Sequence, residues 1–127
     1  MTWCYPNEQS EYAYRVLDSL EQASVIVPAH WRLEIANAVL FGERKARLLP
    51  SDALRFFSLL DGLSIILDTQ TSARSFTATL GLARNYKLTS YDAAYLELAI
   101  RENLVLATLD APLRKAAEAA GVRTFKR

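Results

Sequence analysis

Leu104-Val105-Leu106-Ala107-Thr108-Leu109-Asp110-Ala111-Pro112-Leu113 is the stretch whose reading decides the fold. Its first five residues form a short apolar run and read as a buried strand, Leu104–Thr108. Asp110 then stands where a helix N-cap belongs, with Pro112 in the first turn behind it. The helix is predicted over Ala111–Ala120 and stops at Gly121, a natural terminator. Val122–Phe125 reads as a final short strand. The same strand-then-helix grammar recurs upstream. Val25-Ile26-Val27, ended by Pro28, reads as a strand, and a long helix follows over Trp31–Arg47. Pro50-Ser51-Asp52 opens another helix to Asp61, with Ser51 as its cap. Ser64–Leu67 reads as a strand, followed by helices over Thr71–Tyr86 and Thr89–Glu102. An opening helix is expected over Glu8–Gln22. Strands alternating with helices imply an α/β fold, a parallel sheet with helices on both faces. A sheet of this class normally opens with a strand, and Met1-Thr2-Trp3-Cys4-Tyr5 does not supply one.

The 127 residues suit one domain, residues 1–127, without a Pro-rich or Gly/Ser-rich linker and without an internal repeat. Hydrophobic residues make up 51% and charged residues 23%, an ordinary globular balance that excludes a disordered tail or a collagen-like rod. The formal net charge is +1, so any polyanion site must be local rather than a field over the whole surface. The one cysteine, Cys4, excludes an intrachain disulfide and points to a reducing compartment. No apolar run approaches the roughly 18 residues of a membrane span, and no basic-then-apolar leader opens the chain. A cytoplasmic domain is the expectation.

In a parallel α/β sheet, ligand sites form at the edge where the strands end. Glu34 falls in the first turn of the helix after the first strand. Asp92 falls in the first turn of the helix that precedes the Leu104–Thr108 strand. Asp110 follows that strand directly. The topology predicts that these three helix starts share one edge and that the three carboxylates converge. Each acid also has a local role open to it. Thr89-x-x-Asp92 has the form of a capping box, Asp110 that of an N-cap, and Glu34 complements a helix dipole. Together, three clustered carboxylates repel, and a hard divalent cation with oxygen ligands relieves that.

Three stretches carry a family resemblance: Val27 to Ala38, Leu88 to Ala99 with its Thr89-x-Tyr91-Asp92-Ala93-x-Tyr95 core, and Leu106 to Ala117 with Thr108-x-Asp110. In this order and spacing the chain resembles the PIN domains, and among them the VapC-type toxins of bacterial toxin–antitoxin pairs. The resemblance implies a three-layer α/β/α domain with a central parallel sheet, and a Mg²⁺- or Mn²⁺-dependent endoribonuclease. Glu34, Asp92 and Asp110 would match three of the family's metal-binding catalytic acids. Thr108 would match the hydroxyl lining the site, and Asn37 the polar residue one helical turn after the first acid. The family pattern begins with a strand ending in Asp, and the expectation is that this strand is missing from the present chain. A non-catalytic PIN-like module that docks an antitoxin or RNA is the alternative.

Metal chemistry of this kind needs no His or Cys, in keeping with one of each in the chain. Thr108 can serve a ligand carboxylate or the attacking water, or simply satisfy local backbone. RNA contacts are expected from Arg32, Arg44, Lys45 and Arg47, and from Arg114 and Lys115, with a solvated helix face as the other reading. Tyr91 and Tyr95 flank Asp92 and either stack on a base or pack on neighbours. His30 reads as a loop or cap residue and Cys4 as a small buried hydrophobe. Trp3, Trp31, Phe56 and Phe57 read as core or interface aromatics. Leu54, Phe57 and Leu60–Leu63 give the Ser51–Asp61 helix an apolar side, which the resemblance assigns to a homodimer and to an antitoxin.

Overall fold

The computed structural model describes residues 25–125, so the expected Glu8–Gln22 helix, the absence of a strand before it, Trp3 and Cys4 lie outside the described residues. Two strands pair, β1 (Val25–Val27) and β2 (Ile65–Leu67). The Val25 N–H donates to the Ser64 carbonyl and the Asp68 N–H to the Val27 carbonyl, at 3.0 and 2.8 Å. Both chains advance in the same direction between these bonds, so the pairing is parallel. The fold is α/β, a parallel sheet flanked by helices.

The chain groups into two compact units. In the first, α1 (Trp31–Arg44) buries Trp31, Ile35, Val39 and Gly42, one stripe at helical spacing. It ends three residues before the predicted Arg47. Ala46 turns left-handed at φ 55°, and the Arg47 N–H returns to the Gly42 carbonyl at 2.9 Å. The next helix, α2 (Pro50–Asp61), is capped at Leu49 rather than the expected Ser51. Pro50, with its fixed φ and missing N–H, takes the first helical position, so the cap falls on Leu49 just ahead of it. Leu49 has no side-chain acceptor; Asp52 Oδ2 instead accepts the Leu49 N–H at 3.1 Å.

In the second unit, the helix expected over Thr71–Tyr86 is broken up. A turn at residues 71–74 leads into a π-helical segment, Ser75–Thr79, and only then into α3 (Leu80–Tyr86). The Ser75 hydroxyl donates to the Thr71 carbonyl at 2.9 Å, while the Thr79 N–H reaches the Arg74 carbonyl five residues back at 3.1 Å. Hydroxyl side chains compete for the carbonyls of the preceding turn and disturb the α ladder. Then follow α4 (Ser90–Glu102), started by Thr89 and ended by Asn103, and α5 (Ala111–Ala119), started by Asp110. Leu96, Ala99, Leu106, Leu113, Ala116 and Ala117 form the buried core of this unit.

The expected strands Leu104–Thr108 and Val122–Phe125 meet only at a single parallel bridge, Leu106 to Thr124. Both segments spend their first N–H groups elsewhere. Leu104 donates to the Ala99 carbonyl at 2.9 Å and Val122 to the Ala117 carbonyl at 2.8 Å, each closing a helix end. Only the middle of each segment is left to pair.

Candidate functional site

Each predicted acid sits where a helix begins. At the start of α4, the Thr89 hydroxyl accepts the Asp92 N–H at 3.2 Å, one arm of the expected capping box. Asp92 is half-buried. At the start of α5, Asp110 Oδ2 accepts the Leu113 N–H at 2.9 Å, so the N-cap role is real. Its other oxygen makes no hydrogen bond among the described residues. Thr108 Oγ1 accepts the Asp110 N–H at 3.0 Å, and Arg114 donates to the Thr108 carbonyl. The hydroxyl is thus a local backbone acceptor, and Arg114 closes the turn. Glu34 is half-buried in the first turn of α1, with Asn37 exposed three residues on.

Asp92 and Asp110 belong to one unit of the chain and Glu34 to the other. Among the described residues, no three His, Cys, Asp or Glu side chains come together as a metal-holding group. The donor chemistry of the acids still suits a hard cation. All three offer carboxylate oxygens only, and Asp110 keeps one of them uncommitted among the described residues.

The expected RNA-contacting residues Arg32, Arg44 and Lys45 are exposed, with Lys45 Nζ 5.0 Å from the Phe41 ring centre. Tyr95 is half-buried and meets the His30 ring edge-on at 5.4 Å, and Tyr91 lies against the same ring at 5.7 Å. His30 is a loop residue, as expected, with Nε2 set 3.2 Å from the Tyr91 carbonyl it donates to.

Sequence reading missed the most deeply buried charges among the described residues. Arg101, near the end of α4, donates to Asp68 at 2.7 and 3.1 Å and to Glu97 at 2.9 and 3.0 Å. Their side chains are 11%, 7% and 5% exposed for Arg101, Asp68 and Glu97. The Arg101 guanidinium holds the Asp68 carboxyl below the usual carboxylate range, against the opposing push of burial. Glu97 and then Asp68 raise Arg101 further above its already high value. Thr71 completes the link, since its hydroxyl donates to Asp68 at 2.9 Å and accepts the Ala29 N–H at 3.1 Å. The turns that follow β1 and β2 are therefore tied to each other. They are also tied to both ends of α4, His30 to its first turn and Asp68 to its last. The Glu97/Arg101 spacing of i,i+4 was the visible signal; nothing in the sequence marks Asp68 as their partner.

A model of the PIN domain matches residues 2–119, nearly the whole length. The chain belongs to the PIN domain family. PIN domains are generally nucleases that typically use divalent metal ions, and they are often found in toxin–antitoxin systems. No curated protein matches this PIN domain. No helix among the described residues of this PIN domain is long and apolar enough to cross a membrane.

Proposed function

We propose that this PIN domain is a Mg²⁺- or Mn²⁺-dependent endoribonuclease of the VapC type, the toxin of a cytoplasmic toxin–antitoxin pair. The observation that carries the reading is the match over residues 2–119 together with carboxylates at three helix starts. Glu34, Asp92 and Asp110 would hold the ion, which when bound lowers the pKa of a coordinated water and offsets charge gathering on the phosphate. The protein's own part is positional. Thr89 fixes the first turn of α4 beneath Asp92, and the Thr108–Asp110–Leu113 turn fixes the Asp110 carboxylate with one oxygen spare. Asn37 supports the site, Arg32, Arg44 and Lys45 bind the RNA backbone, and Tyr95 borders the base. The partners are an antitoxin and a second copy of the chain.

A second reading, a non-catalytic module that binds an antitoxin or RNA, is favoured by the lack of a three-ligand group among the described residues. One experiment separates them: RNA cleavage with Mg²⁺ or with EDTA, by the natural chain and by Asp92→Asn. The substitution keeps the backbone N–H that Thr89 caps, so the fold should persist by circular dichroism. Cleavage that needs Mg²⁺ and drops at least about 100-fold in Asp92→Asn supports the ribonuclease. Undiminished metal-dependent cleavage by Asp92→Asn removes Asp92 from the site, and no cleavage by the natural chain leaves the binding module.

A further inference from the structure

Phe76 is the most exposed large apolar side chain among the described residues, at 90%. It lies in the π-helical segment, whose i→i+5 closure takes one residue more than an α turn. In a pure α-helix, residues eight apart drift by about 80° around the axis. The extra residue absorbs most of that drift, so Arg84, in the last turn of α3, falls under Phe76 on the same face. Lys87, the left-handed residue that ends α3, follows at φ 56°. Arg84 and Lys87 are exposed and form no ion pair among the described residues. Thr77, Ala78 and Gly81 beside the ring are exposed and small. A Cβ added at Gly81 would meet nothing within 4 Å, so the space there is open.

Charge points the same way. From Thr69 to Tyr91 the chain carries no Asp or Glu, its longest acid-free stretch, while Arg74, Arg84 and Lys87 all fall within it. Arg74 is engaged, with its guanidinium 4.0 Å from Glu97. An apolar protein partner would want further apolar surface around the ring. A bare aromatic among small residues, with Arg84 in line and Lys87 at the helix end, suits a flexible polyanion with stackable bases. Phe76 to Arg84 spans about 12 Å along the axis, three to four nucleotides at about 3.4 Å each.

We propose that Phe76, Arg84 and Lys87 form a track for single-stranded RNA, Phe76 stacking on a base and the two cations holding phosphates; the proposal rests on the ribonuclease reading and adds a binding surface to it. The test is fluorescence anisotropy with a labelled uridine RNA oligomer of about 12 nucleotides, held in EDTA so that the metal needed for cleavage is absent. Phe76→Ala should weaken binding roughly 5- to 100-fold, Phe76→Trp should retain it, and Phe76→Leu should not restore it. Arg84→Gln and Lys87→Gln should each lower the slope of log affinity against log salt by about 0.7. Both positions are exposed, so these variants test the track independently of Phe76. Binding by Phe76→Ala equal to the natural chain's overturns the track. So does full binding by Phe76→Leu, which would mark an apolar protein contact instead. If the natural chain still cleaves RNA in either case, the ribonuclease reading survives; if it neither binds nor cleaves RNA, both fall.

Discussion

Arg101 holds two buried carboxylates on one guanidinium, with the exposed Glu102 at its edge, and the balance of that cluster is testable at the residue scale. Taking charges out of water costs several kcal/mol per ion, offset only by close pairing and full hydrogen bonding. Removing the shared cation leaves Asp68 and Glu97 buried against each other. Arg101→Met should therefore lose about 3–5 kcal/mol in urea unfolding at neutral pH. The pH dependence follows from Asp68. Its folded value lies below its unfolded one, so its stabilising contribution is complete above the ordinary carboxylate value and is lost as pH falls through the lowered folded value. The gap between Arg101→Met and the natural chain should shrink below about pH 4. A gap unchanged from pH 7 to pH 3 would show that the ion cluster is not its source. The sequence displayed Glu97 and Arg101 one helical turn apart, but Asp68 is 33 residues from Arg101, and a contact of that range leaves no local periodicity to read.

At the scale of elements, the starts of α1, α4 and α5 were legible, and the cap of α2, the start of α3 and several helix ends were not. Thr89 and Asp110 cap the helices they were expected to cap, because Ser, Thr and Asp declare that role by chemistry. The ends depend on single backbone reversals, and Ala46, Lys87 and Asn103 make theirs without the glycine that would announce it. Gly121, the one reversal read correctly, carries φ 82° after α5. A Cβ there meets no neighbour, so Gly121→Ala isolates the backbone cost. It should lower stability by about 1 kcal/mol, or the melting temperature by about 4 °C in calorimetry. No shift would mean that the turn relaxes out of its left-handed conformation. The break in the expected Thr71–Tyr86 helix was hidden because π and α segments draw on the same residue types.

For the molecule as a whole, the α/β class and the PIN family were readable from the order of strands, helices and the three motif stretches. The extent of the last strands was not, since helix-closing bonds claim their N–H groups, a competition that apolar patterning does not record. The proposed centre asks one ion to engage Glu34, Asp92 and Asp110. Titrating Mn²⁺ into the protein should broaden the amide resonances around all three residues at the same ion concentration. Broadening around Asp92 and Asp110 alone would remove Glu34 from the ligand set. The π-helical segment has a last consequence, for changes in chain length. Deleting a single residue among Thr77–Thr79 would let the segment close as ordinary α-helix and leave Phe76 seven residues from Arg84, only about 20° from the same line. A one-codon deletion there would spare that surface, whereas a one-codon insertion within α3 ahead of Arg84 would swing it about 100° away from Phe76.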